Sequence, residues 1–232
     1  MRVLVTRPAH DAERTAAALA RLGHAAVLAP ATAIRRTGAM LPAGRYHAVA
    51  ATSHHAFAAD DGVERARPVF AVGSRTAAAA RAAGFRDVRV GAGDASGLAD
   101  LVRLTLPRPA RLLFLAGRDR KPVLEDVLTG AGYEVAAAEV YAADPVDAWP
   151  EAAVAALRSG GVEAALHYSR RSAELALSLA SRGGVADAVL RLRHLCLSAD
   201  AAEPLSDRGA PAVRIAERPD EDALLTLLAA AP

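Results

Sequence analysis

The chain repeats itself, and the copies are not in tandem. Residues 111–144 can be laid over residues 2–32 at a constant offset of 109: Leu4 falls on Leu113, Leu19 on Leu128, Gly23 on Gly132 and Thr32 on Tyr141. Each copy reads as a short apolar run, a turn carrying an arginine (Arg7, Arg118), an amphipathic stretch closed by glycine, and a second apolar run. Short apolar runs with β-branched residues predict strands buried on both faces. Ala16, Leu19, Ala20 and Leu22 share one helical stripe within 11–22, and the glycine that follows supplies a left-handed stop.

A second unit recurs at an offset of 116. Residues 46–53 (YHAVAATS) pass from a strand into a Thr–Ser turn, and residues 161–169 (GVEAALHYS) do the same, so Ser53 falls on Ser169. Helices are expected after each, at about 56–66 and 172–179. A third unit follows both: a strand at 69–72, a helix at 77–83, Gly84 and a strand at 88–90, against a strand from Leu195, a short helix, Gly209 and a strand at 213–215. Helices at 96–104 and 220–229 close the two series. Strand and helix alternate throughout, which predicts an α/β chain of parallel units with right-handed crossovers.

The order of units then sets the domain plan. One series has its first unit at the start of the chain and the rest after residue 150; the other has its first unit last. The economical solution is two similar parallel-sheet, three-layer domains, one inserted into the other. The inserted domain would run over 36–140, the outer one would combine 1–33 with 146–232, and a two-stranded hinge would lie near 32–36 and 141–145. Small-molecule sites favour domain interfaces, and open parallel sheets take ligands at the carboxyl ends of their strands.

Composition limits the partners. No apolar run approaches the ~18 residues of a membrane span. The N-terminus enters a strand directly, without the pattern of an export signal, and Cys196 is the single cysteine, so a cytoplasmic location is expected. Of the 28 basic residues only Lys121 is lysine, and the net charge is +2. A coding bias towards Arg and Ala accounts for this, although guanidinium forks also suit carboxylates. No basic run with interleaved aromatics points to nucleic acid. The seven histidines, His54 and His55 included, lack the spacing of a metal site, so no metal is expected. Cys196 lies in an apolar run and reads as a small core residue.

Six turns at expected strand ends carry small or hydroxylated residues: Thr6–Arg7, Thr52–Ser53, Gly73–Ser74–Arg75–Thr76, Gly117–Arg118, Tyr168–Ser169 and Ser198–Ala199–Asp200. Ser, Thr and Asp at such places cap helices. The free N–H groups of the same turns attract anions, each worth about 0.3–1 kcal/mol near a surface. Several together would form an anion cradle. Tyr141, at the end of an apolar strand beside the expected hinge, offers a phenol that could hydrogen-bond or protonate a leaving hydroxyl, or simply cover the hinge.

Taken together, VLVTRP at 3–8, ATS at 51–53, AVGSRTA at 71–77 with Gly84, LFLAGRDR at 113–120, Gly132 with Val140–Tyr141, and HYSRRSAE at 167–174 resemble the uroporphyrinogen-III synthase family over essentially the whole chain. The resemblance implies a two-domain α/β enzyme that needs no metal or organic cofactor; two lobes closing on one ligand need no partner subunit, so a monomer is expected. Its substrate would be hydroxymethylbilane, a linear tetrapyrrole polycarboxylate, closed to uroporphyrinogen III with loss of water and inversion of ring D. By position Tyr141 matches the family's tyrosine proposed to assist departure of the hydroxyl. Thr52, Ser53, Gly73, Ser74, Thr76 and Ser169 match its cleft-lining positions, and Arg7 matches its N-terminal arginine; Arg118 and Ser198 join the candidates from their turns. One turn departs from the pattern: Ser198–Ala199–Asp200–Ala201–Ala202 stands where the family has a Gly-Pro-Thr-Thr-Ala-like sequence. An acid facing a polyanion would be repulsive, so Asp200 is expected to cap its own helix. The alternative reading is a non-catalytic two-lobed binding or sensor protein for an anionic small molecule.

Overall fold

The computed structural model describes residues 1–57 and 62–229. In chain order the elements are β1 (Arg2–Val5), α1 (Ala9–Arg21), β2 (Ala25–Leu28), β3 (Thr32–Arg36) and β4 (Ala48–Ala51), followed by a single 3-10 turn at His54–Ala56. Then come β5 (Val69–Ala71), α2 (Ser74–Ala82), β6 (Val88–Val90), α3 (Ala95–Thr105), β7 (Arg111–Gly117), α4 (Val123–Gly130) and β8 (Glu134–Pro145). The chain closes with α5 (Glu151–Arg158), β9 (Ala164–His167), α6 (Arg170–Arg182), α7 (Ala186–Leu190), β10 (Arg193–Cys196), α8 (Ala199–Asp207), β11 (Val213–Ile215) and α9 (Glu221–Thr226). Two compact units divide it, Met1–Ala33 with Asp144–Pro232, and Ile34–Ala143. Among the described residues no helix is long and apolar enough to cross a membrane.

The first unit holds a five-stranded sheet in the order β11-β10-β9-β1-β2, every ladder parallel. Alternation along β1 sorts its side chains between two cores. Leu4 packs with Val27, Ala165 and residues of α5, α6 and α7. Val3 and Val5 pack with Leu166 and Leu195 against Ala12 and Leu19 of α1 and Leu224 of α9. The sheet is thus the middle of three layers.

The second unit repeats the plan with β3-β8-β7-β4-β5-β6, parallel along the ladders from β8 to β6. Phe70, Leu112 and Phe114 face α3 and α4, while Val49, Leu113 and Leu115 face the other way with Ala56 and Ala80. The fold is therefore α/β with two similar three-layer, parallel-sheet parts. The sequence offsets recur in the strand pairing itself. Leu4 stands opposite Val27 and Leu113 opposite Ala136; on their other sides Leu4 meets Ala165 and Leu113 meets Val49.

Helix ends follow the same echo. After α1, Gly23 (φ 76°) donates to Ala20 and His24 donates to Leu19; after α4, Gly132 (φ 85°) donates to Thr129 and Tyr133 to Leu128. Both are left-handed helix stops that satisfy two orphan carbonyls.

Among the described residues one expected element is not found. The helix expected at 56–66 is a 3-10 turn ending at Ala56, and residues 62–68 are irregular, with 58–61 outside the described residues. Gly62, at φ 72°, occupies the left-handed region that helical backbone excludes, and Pro68 removes a donor just beyond.

Candidate active site

The carboxyl end of β7 is where the second unit departs from regular pairing. Ala116 stands opposite Glu139, but Gly117 stands opposite Tyr141, so Val140 is an extra residue on β8. A bulge of this kind redirects the side chain that follows it. Strict alternation would send Tyr141 to the face of Val135 and Ala137, among Phe114 and Leu112. Instead its ring packs with Val140, Leu113 and Leu115 on the opposite face. The Arg118 amide donates to the Tyr141 carbonyl at 2.9 Å and pins the bulge.

On that face the half-buried phenol is hydrogen-bonded to Ser53. Its ring lies 5.7 Å from that of His55 and directly over Gly117, where a Cβ would stand 2.6 Å from Cζ and 2.7 Å from the hydroxyl oxygen. Burial pushes the phenol above the ordinary tyrosine range; the Ser53 hydrogen bond and the Arg120 charge oppose this, and Asp119 adds to it. At neutral pH Tyr141 therefore keeps its proton and is a donor. Ser53 Oγ already accepts from the His55 amide at 3.2 Å, capping the 3-10 turn. If its own proton goes to the Tyr141 oxygen, the phenolic proton is left for a third partner.

Arg120 is the cation of this corner. It donates to Glu125 at 2.7 Å, Glu139 at 3.1 Å and the Gly117 carbonyl at 2.9 Å, and its guanidinium lies 5.7 Å from the Phe114 ring centre. Arg120 is the residue that the sequence does not single out, and Gly117 stands out there only as a member of its turn. The signal was present in LFLAGRDR, but only the bulge shows why a glycine stands there. Arg118 is more peripheral: its side chain is half exposed and 3.7 Å from Glu139.

The other candidates of this unit sit at neighbouring strand ends. Thr52 follows β4 and is half-buried. Gly73 is the N-cap of α2, with Ser74 and the buried Thr76 in its first turn. Between them Arg75 reaches His54 Nε2 at 2.7 Å. A guanidinium only donates, so that nitrogen is an acceptor and His54 carries its proton on Nδ1.

The first unit places its candidates at the corresponding edge. Ser169 caps α6 in a reciprocal capping box with Ser172, and Ser198 caps α8 by accepting from Ala201 at 3.3 Å. Asp200 is not the cap that the sequence suggested; the hydroxyl two residues earlier takes that place. Asp200 lies instead within the first turn, where the positive helix end favours a carboxylate. Arg7 is already engaged. Its guanidinium lies 4.0 Å from the Tyr168 ring centre, 2.9 Å from Glu221 and 3.3 Å from Asp11, and the side chain is only 13% exposed. Cys196 is fully buried, and burial pushes its thiol up to about 12, so it is an inert core residue.

Comparison with known proteins bears on the family and the fold. Residues 13–226 match the family described as uroporphyrinogen-III synthase HemD. No curated protein matches the chain. Among solved structures, the uroporphyrinogen-III synthetase of Helicobacter pylori aligns over 99% of this chain and 99% of its own, with a TM-score of 0.66 and 16% identity. A mutant uroporphyrinogen III synthase of the extreme thermophile Thermus thermophilus aligns over 99% of this chain and 97% of its own, with a TM-score of 0.54 and 21% identity. Likeness at that identity speaks for the fold, and the family match speaks for more: the chain belongs to the uroporphyrinogen-III synthase family.

Proposed function

We propose that this protein closes hydroxymethylbilane to uroporphyrinogen III, inverting ring D and releasing water, without a metal or organic cofactor. The observation that carries the reading is the family match over 13–226. The protonated phenol of Tyr141 suits the first step. There the bond from the ring A carbon to its hydroxyl breaks, the oxygen leaves as water with a proton from Tyr141, and an azafulvenium cation remains. Ring D attacks that cation at its substituted carbon to give a spiro intermediate, which fragments and recloses. The carbon that gains the final bond loses a proton, and its return to the phenol leaves the enzyme unchanged.

Most of the rate would come from holding the chain so that this attack outruns direct closure, with donors aimed at the departing oxygen. The turns at Thr52–Ser53, Gly73–Thr76, Ser169 and Ser198 are read as seats for carboxylate arms, because their helix-end N–H groups attract anions at any of several spacings. Arg118 joins this set as a charge beside those seats, and Arg7, held by Glu221 and Asp11, acts through that network rather than by a free pairing with the substrate. We also propose that the units act as separate domains, with the hinge at 32–36 and 141–145.

The test is to supply enzymatically generated hydroxymethylbilane and separate the uroporphyrin isomers after oxidation. Isomer III above the spontaneous isomer I background is expected, and isomer I alone would overturn the reading.

A further inference from the structure

Glu221 opens α9, and four donors from three other parts of the first unit converge on its carboxylate. One oxygen accepts from Thr15 Oγ1 at 2.6 Å, Tyr168 Oη at 2.8 Å and Arg7 at 2.9 Å, while the other takes Arg14. Thr15 and Arg14 belong to α1, Arg7 to the turn after β1, and Tyr168 to the turn after β9. Burial works to raise the Glu221 carboxyl, but the hydrogen bonds of Thr15 and Tyr168 and the charges of Arg7 and Arg14 outweigh it and hold it below the ordinary range. The same burial, with the Glu221 charge, drives the Tyr168 phenol up and keeps it a donor. Sequence patterns gave no sign of this: Arg7 and Glu221 are separated by most of the chain, and Asp220 beside it already caps α9 by accepting from Ala223.

We propose that Glu221 is a positioning residue for the reaction proposed above: it ties the β1–α1 turn and the β9–α6 turn to the first turn of α9, fixing the place of the carboxylate seat at Ser169. This rests on that reading of the function. It also reassigns Arg7 from direct substrate contact to a strut, since its guanidinium is enclosed by Glu221, Asp11 and the Tyr168 ring. Thr15 is fully buried and Glu221 is 16% exposed, so the place beside Arg7 is filled from within the chain.

The experiment compares wild type, Glu221→Ala and Glu221→Gln in two measurements. Amide hydrogen exchange of the intact protein reads the clamp without substrate. Glu221→Ala should quicken exchange about tenfold or more at residues 6–9 and 168–170, and Glu221→Gln, which still accepts from Thr15 and Tyr168, should restore much of the protection. Steady-state kinetics on hydroxymethylbilane reads its use: KM should rise about tenfold in Glu221→Ala, with kcat within about twofold, and Gln should recover most of the loss. Unchanged exchange at both turns would overturn the clamp. A KM that stays put or falls in Glu221→Ala would overturn the positioning role, a fall meaning that Glu221 occupies a seat meant for substrate. Wild type yielding isomer I alone would remove the proposed reaction and with it any role of Glu221 in it, whereas the exchange result would still decide whether the clamp exists.

Discussion

The Tyr141 ring lies across Gly117 with no room for a single methyl group: a Cβ on Gly117 would sit 2.6 Å from Cζ and 2.9 Å from Cε2. Gly117 does not need to be glycine for its own backbone, since its φ lies outside the left-handed region. It is needed because the one-residue bulge beside it turns the tyrosine over the end of β7. Three features thus act as one device: the bulge aims the phenol, the glycine admits it, and Ser53 holds its oxygen.

Gly117→Ala tests that device. Packing the added methyl forces the ring away, at a cost of about 1–3 kcal/mol typical of an overfilled site. The phenol should lose Ser53, and kcat should fall about tenfold or more while the circular dichroism spectrum stays native. A variant with full activity would show that the ring has no fixed place in the reaction.

Tyr141→Phe keeps the ring over Gly117 and removes only the proton donor. It should lower kcat at least about tenfold, towards the range of 10²–10⁴ seen on loss of a general acid. Thermal stability should change little. Because Gly117→Ala acts through the same hydroxyl, the double variant should be no slower than the slower single one; multiplied losses would mean that the two residues act independently.

How much of this was legible beforehand depends on what kind of physics wrote it. The repeat held down to the pairing of Leu4 with Val27 and of Leu113 with Ala136, because periodicity and burial are properties of short segments. Tyr141 stands out in the sequence as the end of an expected strand, but β8 runs past it to Pro145; Ser53, Ser169 and Ser198 stand at helix starts as their residue types predict. Asp200 differs from expectation because Ser and Asp cap equally well, and which of them does so depends on where the strand stops. The helix expected at 56–66 failed at Gly62, whose positive φ depends on its surroundings. Neither α5 nor α7 belongs to the repeated pattern, and neither was expected. The bulge at Gly117 and the Glu221 cluster were out of reach altogether, since both depend on contacts between segments far apart in the sequence.

The paired helix stops give a backbone test without side-chain interference. Nothing lies within 4 Å of a Cβ added at Gly23, and at Gly132 only the tip of Arg108 reaches 4.0 Å. Gly23→Ala and Gly132→Ala should each destabilise the protein by about 1 kcal/mol, the cost of holding a side chain in the left-handed region. Urea melts read this directly. A neutral result at either site would mean that the helix end there relaxes into another stop.

The first unit also carries a buried pair, His167 on β9 and His194 on β10, with Nε2 of one 3.0 Å from Nδ1 of the other. Burial, with the neighbouring His194, lowers His167 to about 3. Burial lowers His194 to about 4 against the pull of the Leu190 and Val189 carbonyls, which favour its charged form. Both are therefore neutral in the folded chain, while in the unfolded chain each titrates near 6.5. The sign follows: below pH 6.5 the unfolded state binds the additional protons, so stability falls with pH until the folded values are reached near 4 and 3. At one pH unit below 6.5 the loss is roughly 1.4 kcal/mol for each histidine. Urea denaturation at pH 7.5 and 5.5 should show that drop in wild type and a visibly smaller one in His194→Asn, whatever the variant's stability at pH 7.5. Equal slopes in the two proteins would mean that the pair takes up protons without unfolding, and that the polar contacts around it rearrange to hold the charge.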